Sequence, residues 1–163
     1  MRIGGLPFVA LAMLSLIVGL LAGLQRIGWR NEIIETSIII LKNNMDKHDI
    51  ISRNDIIALV DSFYEKVKAN ALLGPVFSHV DWPKHLPVMY GFWSSMLLGE
   101  TSYSGNPLQS HLPLPIDSTH FNQWLALFEA TLDELFAGER TEETRMRARA
   151  IAGVFQHKMG LKI

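Results

Sequence analysis

The stretch from Tyr103 to Trp124, YSGNPLQSHLPLPIDSTHFNQW, decides how the rest of the chain is read. It holds His111 in a segment that cannot be a long helix, because Pro107 precedes it and Pro113 and Pro115 follow at once. Proline removes a backbone donor and clashes with the preceding turn, so His111 sits on a helical turn at most. Beyond it, Asp117, Ser118 and Thr119 are all good N-cap residues, and they lead into an amphipathic helix that carries Trp124. An imidazole on a short, proline-bracketed turn facing a long apolar helix is what an axial ligand of a buried planar cofactor needs. A lone histidine in a loop is otherwise an ordinary solvated side chain, so the rest of the chain must support the reading.

The chain has 163 residues, 15 basic against 16 acidic, a formal charge of -1 and no cysteine. The charge balance argues against nucleic-acid binding, which normally shows as a basic excess. The absence of cysteine excludes disulfide scaffolds, thiolate zinc sites, iron–sulfur clusters, cysteine nucleophiles and covalent thioether attachment of a haem. Any metal must be held by His, Met, Tyr or carboxylate. At 18.4 kDa the chain is one domain, or one domain with an appendage.

Residues 3–25 carry no charged side chain. About 20 apolar residues at ~1.5 Å each span a bilayer. A transmembrane anchor fits, and Arg26, Arg30, Lys42 and Lys47 against Arg2 alone place the C-terminal domain in the cytoplasm. A cleaved signal peptide and a mis-assigned start, with initiation at Met45, are the competing readings. From Met45 onward the chain reads as all-helical, because period-3.6 apolar stripes recur and strand alternation is absent. Asp55 to Ala69 aligns Ile56, Val60, Phe63 and Val67, with Ile57 and Tyr64 beside them. Trp82 to Leu98 opens with Pro83, favoured in a first turn, and lines up Met89, Phe92, Trp93, Met96 and Leu97, with Pro87 expected to kink or shorten its start. His120 to Phe136 shows Phe121, Trp124, Leu125, Phe128, Leu132, Leu135 and Phe136 at i, i+3, i+4, i+7 spacing. Gly138 ends it, and Thr141 is expected to cap a last helix whose apolar side is Met146, Ala150, Ile151, Val154 and Phe155.

Three side chains resist a reading as plain helical bundle. Tyr64 sits on an apolar face, where its hydroxyl needs a partner. His85 lies one turn before Met89, and Trp124 brings an indole N–H into the middle of the stripe facing the His111 turn. Three donors converging from apolar faces describe a lined pocket with few polar groups. His120, His79, His48 and His157 read as surface residues. No HExxH spacing or nucleophile elbow supports a zinc or hydrolase reading.

The segments DSFYEKVKANALLGPVF, WPKHLPVMYGFWSSMLLG, YSGNPLQSHLPLP and HFNQWLALFEATLDELF resemble the group III truncated haemoglobins over roughly residues 50 to 158. The resemblance implies an all-α, two-over-two helical sandwich at residues 45–163, preceded by a hydrophobic N-terminal segment at 1–44 that matches nothing in the family pattern. It implies non-covalent haem b, with His111 matching the proximal iron ligand. Tyr64, His85 and Trp124 match the distal positions that meet a bound gas, and Phe77 matches the phenylalanine packed on the porphyrin. Met89, Phe92 and Trp93 fall where the family lines the pocket with apolar side chains.

The function implied is reversible binding of oxygen, and of nitric oxide, at a five-coordinate iron. A haem peroxidase is an alternative, as is a nitric-oxide dioxygenase, which needs a reductase partner that this chain lacks. A haem-free helical interaction module, held at a membrane through residues 3–25, is the third reading.

Overall fold

The computed structural model describes residues 34–39 and 47–161. The chain divides into two units, Met1–Asp46 and Lys47–Ile163. In the first, residues 34–39 are helical. The hydrophobic segment 3–25 and Met45, on which the anchor, signal and start readings rest, lie outside the described residues. Among the described residues no helix is long and apolar enough to cross a membrane.

The second unit is built from helices α1 (Arg53–Ala69), α2 (Trp82–Leu98), the single turn α3 (Pro107–His111), α4 (Ser118–Leu135) and α5 (Glu139–Lys158). No strand occurs among the described residues. Helix α1 packs on both α2 and α4, and α4 packs on α5, so two helix pairs meet face to face through α1 and α4. Between them lies an aromatic core. The Phe128 ring is fully buried, stacked on Trp124 at 5.1 Å and on Trp93 at 4.9 Å, with Phe63 edge-on at 5.2 Å. Each of these rings comes from an apolar stripe at helical spacing, which is why the three helix faces find one another.

Local signals start and stop the elements. Ser52 caps α1 through a reciprocal capping box, in which the Asp55 carboxylate accepts the Ser52 N–H at 2.8 Å. Asp117 caps α4, accepting from the backbone of Thr119 at 2.9 Å and His120 at 3.2 Å. Helix α2 continues through Pro87 rather than starting late or breaking there. Its first turn is already closed by the Asp81 carbonyl, which accepts from Lys84 and His85. The carbonyl that Pro87 leaves without a helical donor is that of the exposed Pro83, so water can satisfy it.

Helix α5 departs most from expectation. Gly138, not Thr141, occupies the N-cap, with φ 152, and Thr141 is 1% exposed in the first turn. The cap is supplied from a distant part of the chain. The Asp49 carboxylate accepts the Arg140 N–H, the Thr141 N–H and the Thr141 hydroxyl, each at 2.8 Å. A Cβ on Gly138 would come within 2.3 Å of the Asp49 side chain, so glycine is required for the approach as well as for the backbone angle. The buried face of α5 is also rotated from the expected one. Met146 and Val154 are 62% and 53% exposed and Ala150 is exposed, while Thr141, Thr144, Ala148, Ala152 and Phe155 face inward with Ile151 beside them. Small inward residues let α5 lie close to α4. Thr144 is buried at no polar cost, because its hydroxyl donates to the Arg140 carbonyl at 2.7 Å.

Two carboxyls, Asp49 before α1 and Asp55 in its first turn, are held ionised. Against a desolvation that raises it, the Asp55 pKa is pulled down to about 2 by hydrogen bonds from His48, Ser52 and the backbone. Against the same opposition, Asp49 is lowered by its bonds to Arg140, Thr141 and Ile50. A carboxyl whose pKa falls on folding stabilises above its unfolded value, about 3.9, and loses that contribution as pH falls through the folded value. Urea midpoints should therefore drop between about pH 4 and about pH 2. Asp49→Ala should cost about 1–2 kcal/mol at neutral pH and flatten part of that acid slope. An Asp49→Ala midpoint equal to that of the parent chain at pH 7 would contradict the cap.

Candidate functional site

The helices enclose a cavity of about 230 Å³ reached by α1, α2, α3, α4 and α5. Its wall takes Tyr64 from α1, His85, Met89, Phe92 and Trp93 from α2, and His111 from α3. Trp124 comes from α4, and Phe77 from the turn between α1 and α2. All eight residues singled out in the sequence therefore face one space. No Asp, Glu, Lys or Arg lines it among the described residues.

His111 closes α3 as its last residue, half-buried. Pro107 opens that turn, and its carbonyl accepts from His111 Nδ1 at 2.7 Å. A carbonyl can only accept, so Nδ1 carries a proton, and in the neutral ring that tautomer leaves the lone pair on Nε2. The Phe155 ring packs against the imidazole at 4.9 Å. Proline bracketing thus does two things: it limits α3 to one turn, and it delivers the carbonyl that sets the tautomer.

Across the cavity, Tyr64 is 6% exposed and its hydroxyl meets His85 Nε2 at 3.4 Å. That is long for a hydrogen bond, so it holds the pair loosely. Burial pushes the Tyr64 pKa up, keeping a neutral O–H. Desolvation, and secondarily the proximity of His111, lowers the His85 pKa, keeping that imidazole neutral. Trp82 and Phe77 brace this pair: Trp82 lies 5.3 Å from Tyr64 and 5.8 Å from His85, and it stacks on Phe77 at 6.1 Å.

Sequence reading missed Trp82 as the brace of the Tyr64–His85 pair, although it stands three positions before His85 on the same helix. It also missed Phe155 as the neighbour of His111. His120 was expected at the surface; its side chain is only 19% exposed and reaches the cavity wall. Its Nδ1 accepts the Asp117 backbone N–H at 3.3 Å, completing the capping box of α4. His79, His48 and His157 are exposed, as expected.

A family model of the bacterial-like globins matches residues 48–158. The group 3 truncated haemoglobin ctb of Campylobacter jejuni is 37% identical over 120 residues, covering 69% of this chain and 94% of its own. The chain belongs to the group III truncated haemoglobins. The crystal structure of the Campylobacter jejuni group III protein superposes with a TM-score of 0.65 at 38% identity, over 69% of this chain and 94% of that one. The truncated oxygen-avid haemoglobin of Bacillus subtilis gives a TM-score of 0.59 at 29% identity, over 64% and 93% respectively. The two-over-two helical fold is thereby that of a haem-binding globin, a class that binds diatomic gases such as oxygen.

The residues present suit the cofactor this family implies. A flat aromatic group requires an apolar cavity between helices, and this wall is almost wholly aliphatic and aromatic. An axial ligand requires an imidazole oriented through its other nitrogen, and the bond from His111 Nδ1 to the Pro107 carbonyl provides that orientation.

Proposed function

We propose that this truncated haemoglobin holds haem b through His111 Nε2 and binds oxygen reversibly, with nitric oxide as a second ligand. The observation that carries the reading is the pairing, in one apolar cavity, of a tautomer-locked imidazole on α3 with neutral donors on α1, α2 and α4. When bound, the iron protoporphyrin supplies a position at which a diatomic gas can coordinate.

The remaining roles belong to the chain. Met89, Phe92, Trp93 and Phe77 present apolar surface to the tetrapyrrole and exclude water. Tyr64, His85 and Trp124 offer donors to a ligand that carries partial negative charge. A hydrogen bond in such a low-dielectric pocket is strengthened. Because the Tyr64–His85 contact is long, Tyr64 can turn its O–H toward the ligand at little cost, with His85 following as acceptor or withdrawing. The similar Bacillus subtilis haemoglobin is oxygen-avid, and two or more such donors would give this chain tight oxygen binding too. Peroxidase or nitric-oxide dioxygenase turnover is the second reading; the neutral His85 beside Tyr64 favours it, as a proton carrier next to a donor, and dioxygenase turnover requires a separate reductase. A cytoplasmic globin unit tethered at a membrane by residues 3–25 is consistent with the Lys and Arg bias after that segment.

Haem titrated into the purified full chain should give a Soret band that saturates at one equivalent and shifts on adding carbon monoxide to the reduced form. Folded protein that takes up no haem would return the chain to the helical-module reading.

A further inference from the structure

The outer side of α5 carries residues that packing within the chain does not explain. Met146, Ala150, Gly153, Val154 and His157 recur at three- and four-residue steps, so they share one face of the helix. It lies away from the inward face of Thr144, Ala148, Ala152 and Phe155. Met146 and Val154 stand exposed on it, with Ala150 exposed between them. Single exposed apolar side chains need no special reason. Gly153 does. A glycine inside a helix is destabilising relative to alanine, and a Cβ built at Gly153 meets nothing within 4 Å. At Gly91, by contrast, a Cβ would come 2.7 Å from the Ser102 carbonyl oxygen. Gly153 is therefore not required by its own chain; what it permits, beside Ala150, is the close approach of a second backbone.

The charges along α5 indicate which backbone fits. Glu139 and Glu142 lie in its first turn, Glu143 follows, and His157 and Lys158 lie in its last. The arginines between are matched within the chain: Arg147 to Glu143 at 2.6 Å, Arg145 to Glu142 at 3.2 Å and Arg149 to Glu129 at 2.7 Å. His157 and Lys158 are in no ion pair among the described residues. A second α5 crossing the first antiparallel at Ala150 sets its His157–Lys158 turn over Glu142 and Glu143, and its Gly153–Val154 step over Met146. Two-fold symmetry makes each contact twice. A parallel crossing would instead lay acidic turn on acidic turn, and aligned helix dipoles would add to the repulsion.

We propose that α5 is a self-recognition surface, through which two copies of this chain pair antiparallel about a two-fold axis at Ala150. Met146 of each copy packs over the Gly153–Val154 step of the other, and the Glu142–Glu143 turn of each meets the His157–Lys158 turn of the other. The inference is independent of the haem reading. One helix pair is a small interface, so the dimer is a weak, reversible one.

The chain has no cysteine, so single introduced thiols report the geometry. The full chain carrying Ala150→Cys, at about 50 μM under mild oxidation, should form a disulfide-linked dimer, because the two-fold brings that position within the ~7 Å that a disulfide can bridge. Met146→Cys, on the same exposed face, should link about tenfold more slowly, since its two copies would stand roughly 12 Å apart along the helices. Adding Gly153→Leu to Ala150→Cys should slow linking by about tenfold, yet leave the urea midpoint no lower, since leucine is the better helix former and meets nothing in its own chain. Val154→Lys should give the same slowing by charging the seam. Linking in Ala150→Cys no faster than in Met146→Cys would overturn the proposal, as would linking indifferent to both Gly153→Leu and Val154→Lys. The face would then belong to a different protein or to solvent.

Discussion

Phe128→Ala is expected to destabilise the globin unit by about 3–5 kcal/mol, the range for truncating a fully buried phenylalanine. That is a large share of the ~5–15 kcal/mol by which a domain of this size is stable. The ring has no exposed surface, stacks on Trp124 and Trp93, and takes the edge of Phe63. Alanine would leave a cavity that three rings from three helices cannot all collapse into. Because Trp93 and Trp124 also line the site, the same variant should loosen the pocket as well as the fold. A urea midpoint measured with an unchanged slope would report the loss, and Phe128→Leu should recover much of it. A loss below about 1 kcal/mol would mean that the stacked arrangement is not what holds the unit together.

Removing the donors opposite His111 should have the next largest effect. Tyr64→Phe deletes a hydroxyl whose protein partner is a long contact to His85, so little folding stability is lost and the effect falls on the bound gas. Each donor is worth about 1–2 kcal/mol, hence about tenfold in the oxygen off-rate, and Tyr64→Phe with Trp124→Phe together should approach about a hundredfold. The two need not add fully, since Phe63 contacts both rings. Stopped-flow displacement of oxygen by carbon monoxide measures this directly. An off-rate unchanged in Tyr64→Phe would remove that residue from the ligand site.

How much of this was legible in the sequence varies with the kind of signal. The helices of the globin unit were readable because their apolar stripes are strongly periodic; His111 was legible from its prolines, whereas Phe77 entered the wall only through the family resemblance. Helix α5 was misread because counting apolar residues favoured Met146, Ala150 and Val154, whereas the buried face is built from threonines and alanines whose burial depends on local hydroxyl bonds and close approach. Its cap was illegible for a different reason: Asp49 lies about 90 residues away, and no local motif encodes a bond made by tertiary folding. The inward turn of His120 was hidden similarly, since a histidine at a helix start is ordinarily solvated until its nitrogen is seen to close a box with Asp117. Pro87 does not shorten its helix, because a proline costs little where the carbonyl it frees faces water.

The central claim is that His111 Nε2 is the axial ligand. The most direct test is the visible spectrum of His111→Gly, in the ferric and ferrous carbon-monoxide forms, with and without added imidazole. The account predicts that the substitution abolishes the parent spectrum or leaves weakly held haem, and that free imidazole, filling the space of the lost side chain, restores the parent bands. Parent-like spectra in His111→Gly without imidazole would contradict it and move the ligand to another residue of the wall.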